Sequence, residues 1–282
     1  MGDLVGFGFG ELSKPANTLI EKIANAVGVL YEPRRIREKA KAEAEAEKIR
    51  AVAEIEIDEF KRRALQRFVF EEMRKQENIE SITGKAIPQV SNKARPEKIE
   101  DDWIVNFFDK CRLISDGEMQ QLWAKILAGE ANSPGKFSKK TVNIVASLDK
   151  SDAEAFTRLC GFGISIDVEV IPLVYDEDHG IYKDRGIDFF TLSNLDSIGL
   201  IKFDVTGGYL RTNLAHRGPV SYFDQKMWLE FPEKSKNDLK VGTVMLTLTG
   251  QQLATVSRAG PVAGFADYVN EKWKSLGYKT EP

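Results

Sequence analysis

The residues best suited to chemistry are the four acids and bases of "YDEDHG", Asp176, Glu177, Asp178 and His179. Three carboxylates and an imidazole on one turn are a donor set for a divalent cation, or an acid and base for attack by water. A metal-dependent hydrolase or nuclease built on Asp176, Asp178 and His179 is therefore the enzymatic reading. Nothing elsewhere reinforces it: no second carboxylate cluster with a basic partner stands out, and adjacent acids on a turn are ordinarily solvated. The only other histidine is His216, and no CxxC or HExxH spacing occurs, so no zinc site is expected. Cys111 and Cys160 each lie in an apolar helical pattern, as packing residues of a reduced protein do.

A second candidate is "GEANSPGKFSKKT", where glycine, lysine and hydroxyls gather before a helix, as in a phosphate-binding loop. The spacing fails, because Gly129 lies six residues before Gly135 and Phe137, not Ser or Thr, follows Lys136. A third is the set of cations between Leu192 and Pro219, which consists of Lys202, Arg211 and Arg217 and marks the candidate nucleic-acid contact. The formal net charge of −3 gives no general attraction to polyanions. No catalytic residue, metal or cofactor is assigned, and a non-enzymatic protein is expected.

Function must then be sought in the elements that carry these residues. "VGFGFG", with Phe7 and Phe9, is too glycine-rich for a confident strand. Leu19, Ile20, Ile23, Val27 and Leu30 follow at helical spacing in a short amphipathic helix ended near Pro33, suited to packing in an oligomer or against a membrane. From Arg34 the chain lacks helix breakers for about fifty residues, a rod of about 75 Å. Ile49, Ala53, Ile57, Phe60 and Phe68 mark its apolar stripe, and interleaved Glu, Lys and Arg give it the pattern of an exposed or coiled-coil assembly helix. No apolar run is long enough to span a bilayer, and Asp3 occupies the basic region of a signal peptide, so a cytoplasmic protein is expected, with peripheral contact to the inner membrane as one option.

The expected organisation is an apolar N-terminus over 1–33, the long helix over 34–86, a proline-bearing linker over 87–97 and a helical bundle over 98–162. "MQQLWAKILAGEA" gives that bundle its strongest amphipathic signal. Residues 163–258 change to shorter, β-branched runs, and 259–282 end the chain in a helix through Phe265, Val269, Trp273 and Leu276. The order "LxxLxxxGLI", strand, glycine turn, strand and "LTLTGQQL" resembles the end of many winged-helix domains. The expected fold class is therefore mainly α: a long N-terminal helix, a helical bundle and a C-terminal α+β winged-helix-like domain.

Four stretches, "ELSKPANTLIEKIANAVGVLYEPRRIREKAKAEAEAEKI", "RKQENIESI", "DDWIVNFFDKCRLISDGEMQQLWAKILAGEANSPGKFSKKTVNIVASL" and "LDSIGLI", resemble an uncharacterised bacterial family known only as a domain of unknown function. "LWAKILAGE" followed by "LDSIGLI" is also similar to the layout of abortive-infection alpha proteins, which are linked to phage defence, and "AEAEAEKIRA" is similar to coiled coils of flotillin-like scaffolds. Neither of the first two families brings catalytic residues to carry over. That layout, together with the long helix and the absence of a catalytic signature, points to a self-assembling interaction protein of antiphage defence, whose partners are further copies of itself and an unidentified protein, with a phage protein as one option. A nucleic-acid-binding regulator using the winged-helix-like region, and the hydrolase above, are the alternatives.

Overall fold

The computed structural model describes residues 12–28, 59–167 and 169–281. Two compact units divide between Val142 and Asn143.

In the first unit, α1 (Lys14–Val27) opens with the Ser13 side chain capping Ala16 N–H and Pro15 in its first turn, and ends at Gly28 in the left-handed region. Its apolar stripe is spent inside the unit. Ala16, Leu19, Ile20 and Ile23 are buried where α1 packs on α3 (Asp101–Cys111) and the 3-10 turn Pro96–Lys98. Lys22 fixes that docking by pairing with Asp101 at 2.7 Å. The long helix α2 (Glu59–Ala86) packs its last two turns on α4 (Gly117–Asn132), which Asp116 caps through the N–H groups of Glu118 and Met119. Between α3 and α4, Phe107 lies 5.1 Å from each of Trp103, Phe108 and Trp123, ring centre to ring centre. These four rings are at most 4% exposed, and each buries a large apolar area.

The division falls within α5 (Lys139–Ala146). In the second unit, α6 (Lys150–Cys160) starts with a reciprocal capping box between Asp149 and Asp152. Strand β1 (Gly163–Ile166) turns at Asp167 into β2 (Glu169–Pro172). After α7 (Gly180–Lys183), α8 (Phe189–Ile198) and β3 (Ile201–Phe203), β4 (Tyr209–Leu214) leads to the hairpin of β5 (Arg217–Tyr222) and β6 (Gln225–Glu230). The chain closes with β7 (Asn237–Gly242), β8 (Val244–Leu246), α9 (Leu248–Ala254), α10 (Phe265–Ser275) and β9 (Lys279–Glu281).

This overturns the expected mainly-α, winged-helix-like fold class. The second unit is organised on a five-stranded antiparallel sheet in the order β2-β1-β5-β6-β9. Its central hairpin, "RGPVSYFDQKMWLE", carries Gly, Pro and charges that obscure the two-residue period. The two strands flanking "TGG" do not form a wing either. β3 pairs with β8, and β4 pairs with β7, because Gly199 and Gly242 redirect the chain on either side. Helix α10 covers one sheet face, where Phe265, Val269 and Trp273 meet Ile164, Val220 and Met227 around a narrow apolar cleft.

Gly242 is required by its surroundings. It has φ of 97°, and a Cβ there would run into the carbonyl oxygen of Val174, with which it forms a bridge. Gly242→Ala combines a strained backbone with a steric clash and should destabilise the protein by about 3 kcal/mol in urea denaturation. A loss below about 0.5 kcal/mol, the usual range for a surface change, would contradict this packing.

Candidate functional site

The "DEDH" turn is committed to structure. The Asp176 carboxylate accepts Asp178 N–H at 3.1 Å, His179 Nδ1 accepts Ile181 N–H at 3.2 Å as the cap of α7, and Asp178 pairs with Lys183 at 3.4 Å. The His179 ring lies 4.7 Å from that of Tyr268 on α10. Among the described residues, no group of three or more His, Cys, Asp or Glu could hold a metal ion. The buried thiols are packing residues in this fold; desolvation pushes Cys160 up to about 12 and raises Cys111 well above its ordinary value, which disfavours the reactive thiolate.

The glycine loop after α4 does converge its N–H groups on an anion, and the anion is the protein's own. Glu130, 3% exposed, accepts Gly135 N–H at 2.6 Å and Phe137 N–H at 2.8 Å. Phe137 is in turn buried beside Gly129, where a Cβ would come within 2.7 Å of its ring, and its carbonyl accepts the Trp103 indole N–H at 2.7 Å. Those amides are thus already satisfied and the phosphate reading fails on chemistry as well as spacing. The three candidate nucleic-acid cations are likewise paired. Lys202 meets Asp196 at 3.4 Å, and Arg211 reaches Asp167 and Glu169 at 2.9 and 2.8 Å. Arg217 meets Glu281 at 2.6 Å while lying over the Trp228 ring. A phosphate would have to displace a carboxylate at each.

What remains is α2. Its C-terminal end carries buried Asn78, Ile79, Ile82, Thr83 and Ala86. Asn78 Nδ2 donates to Arg112 carbonyl at 2.9 Å and to Ser115 Oγ at 3.2 Å, while Gln120 on α4 donates to Asn78 Oδ1 at 3.2 Å and to Ile114 carbonyl at 2.9 Å. Ser81 Oγ and Lys85 Nζ close the network on Gln120 Oε1. Two heptads upstream of Asn78, Ile79 and Ile82 on the same side of the helix stand Ala64, Leu65 and Phe68, and there the face is open: Phe68 is 59% and Leu65 38% exposed. Ten consecutive residues, Glu59 to Phe68, are exposed. The segment holds its helix through good formers and the exposed pairs Glu59–Arg63 and Arg67–Glu71, each of small worth.

Of the other residues expected to serve assembly, Phe60 is exposed, and Ile49, Ala53 and Ile57 lie outside the described residues. For the membrane or oligomer contact, Leu19, Ile20 and Ile23 are buried within the first unit, Val27 is half-buried, and Phe7, Phe9 and Leu30 lie outside the described residues. No described helix is long and apolar enough to cross a membrane. The network of Asn78 and Gln120 was missed by periodicity, which treats polar residues as solvent-facing; the only signal was an Asn directly before Ile79.

Residues 62–270 match a family model described as a protein of unknown function, DUF2806. The chain belongs to the DUF2806 family. The DUF2806 match takes in most of the open half of α2, its polar clasp to α4, the Glu130 loop and almost all of the second unit up to α10. No curated protein matches the chain, and no solved structure does.

Burial pushes the Glu130 carboxyl up from its ordinary 4.5, opposed by the N–H groups of Gly135, Phe137 and Lys136 and assisted by the nearby negative charge of Glu100. The folded state therefore holds the proton more tightly than the unfolded state. Stability from this site is fully present below pH 4.5 and is lost as pH rises through the raised value. In urea denaturation across that window, Glu130→Gln should flatten the decline of stability with rising pH. An unchanged slope would contradict the buried-carboxylate account.

Proposed function

We propose that this chain is a non-enzymatic, self-assembling interaction protein of bacterial antiphage defence, of the abortive-infection type. The observation that carries the assembly part is the exposed apolar cluster of α2 at Ala64, Leu65 and Phe68, on the same side of the helix as the face that α4 covers two heptads downstream. A helix half buried and half open along one side is suited to holding a second chain while its other end stays fixed to a folded body. The defence part rests on the similarity of "LWAKILAGE" and "LDSIGLI" to abortive-infection alpha proteins. In this reading the chain's partners are its own copies and a protein that triggers it.

Purified full-length protein in light scattering should show a mass above that of one chain, falling on dilution, and Phe68→Glu should shift it towards monomer with unchanged circular dichroism. Expression in a susceptible bacterium should lower phage plating, and Phe68→Glu should restore it. A monomer at all concentrations together with unaltered plating would overturn the proposal.

A further inference from the structure

The open stretch of α2 has an internal symmetry that selects its occupant. Lys61, Leu65, Phe68 and Glu72 are separated by four, three and four positions and so form one line along the helix. Read from either end, that spacing is the same. The outer two residues are of opposite charge and the inner two are apolar. Lys61, Leu65, Phe68 and Glu72 are all exposed, and the line spans about 17 Å at the α-helical rise.

We infer that α2 pairs antiparallel with α2 of a second copy, about a two-fold axis between Gln66 and Arg67. This deepens the self-assembly reading and rests on it. In that register Leu65 of each chain meets Phe68 of the other, and Lys61 of each meets Glu72 of the other. Both apolar side chains gain cover and both charges gain an opposite at the two ends, the self-complementarity that an isologous interface demands. A parallel, in-register pair would instead set Lys61 against Lys61 and Glu72 against Glu72, so charge selects the antiparallel arrangement. The wider distribution agrees. Lys61, Arg62, Arg63 and Arg67 make the N-terminal part of the stretch net positive, and Glu71, Glu72, Glu77 and Glu80 make the following part net negative. Ala64, on the flank of the line, is small enough to let the two backbones approach.

Glu72 already meets Lys75 of its own helix at 2.6 Å, with both side chains partly exposed. Such an i, i+3 pair is worth little and leaves the second carboxylate oxygen for Lys61 of the other copy.

The test is a charge swap in the full chain, read as a dimerisation constant by sedimentation. Lys61→Glu sets like charges opposite Glu72, and Glu72→Lys sets like charges opposite Lys61; each single change should weaken self-association about ten-fold. The double variant K61E/E72K restores opposite charges across the axis and should return association to within about three-fold of the original. Both sites are exposed, and circular dichroism verifies that each of the three variants folds. If the protein self-associates but the single changes are without effect, or the double variant fails to rescue, the antiparallel seam is overturned and self-assembly by another surface stands. If the unaltered protein remains a monomer at every concentration, both fall.

Discussion

The contact between Asn78 and Gln120 is the constraint on which the first unit's use of its long helix depends. Both side chains are 5% exposed, and between them they bond two backbone carbonyls, the hydroxyls of Ser81 and Ser115, the Lys85 ammonium and each other. An amide buried without partners costs about 1–3 kcal/mol, whereas in this network nearly every group is met only if α2 sits in one register on α4. A purely apolar seam would tolerate sliding by a turn. The amides do not, and they thereby set how far α2 projects beyond its docking site and which residues, Leu65 and Phe68 among them, remain uncovered.

Several helices were legible because their apolar period and their end signals agree. Ser13 and Pro15 open α1 and Asp149 opens α6, whereas α1 stops at Gly28 in the left-handed region rather than near Pro33, and the Asp116 cap of α4 shows only in the fold. The sheet was less so. β5 interrupts its alternation with Gly218 and Pro219, and β6 places exposed Trp228 beside buried Leu229, so apolar residues occupy both faces and the period is lost. Strand partners are also non-local. β3 finds β8 across an intervening four-strand excursion, and Gly242, just before β8, lies against Val174 from much earlier in the chain.

The chemistry-bearing residues show the same division. Composition located a glycine loop rich in amides, but only the fold brings Glu130 up from the helix below to occupy them. Likewise Arg211 and Arg217 were visible as cations, while their neutralisation by Asp167, Glu169 and Glu281 depends on contacts made across the sheets of the second unit. Residue type locates where charge is available. Burial and pairing decide whether it is free to act, and among these groups the least committed surface is the exposed half of α2.

Hydrogen exchange along α2, followed by mass spectrometry at two protein concentrations, tests the central claim most directly. The account predicts that amides of residues 78–86 are protected at both concentrations, because the Asn78 and Gln120 network holds that end within the unit. Amides of residues 61–72 should exchange rapidly when the protein is dilute and gain protection, roughly ten-fold or more, when it is concentrated enough to self-associate. Equal protection of both halves, independent of concentration, would show that the open face is neither open nor an assembly surface.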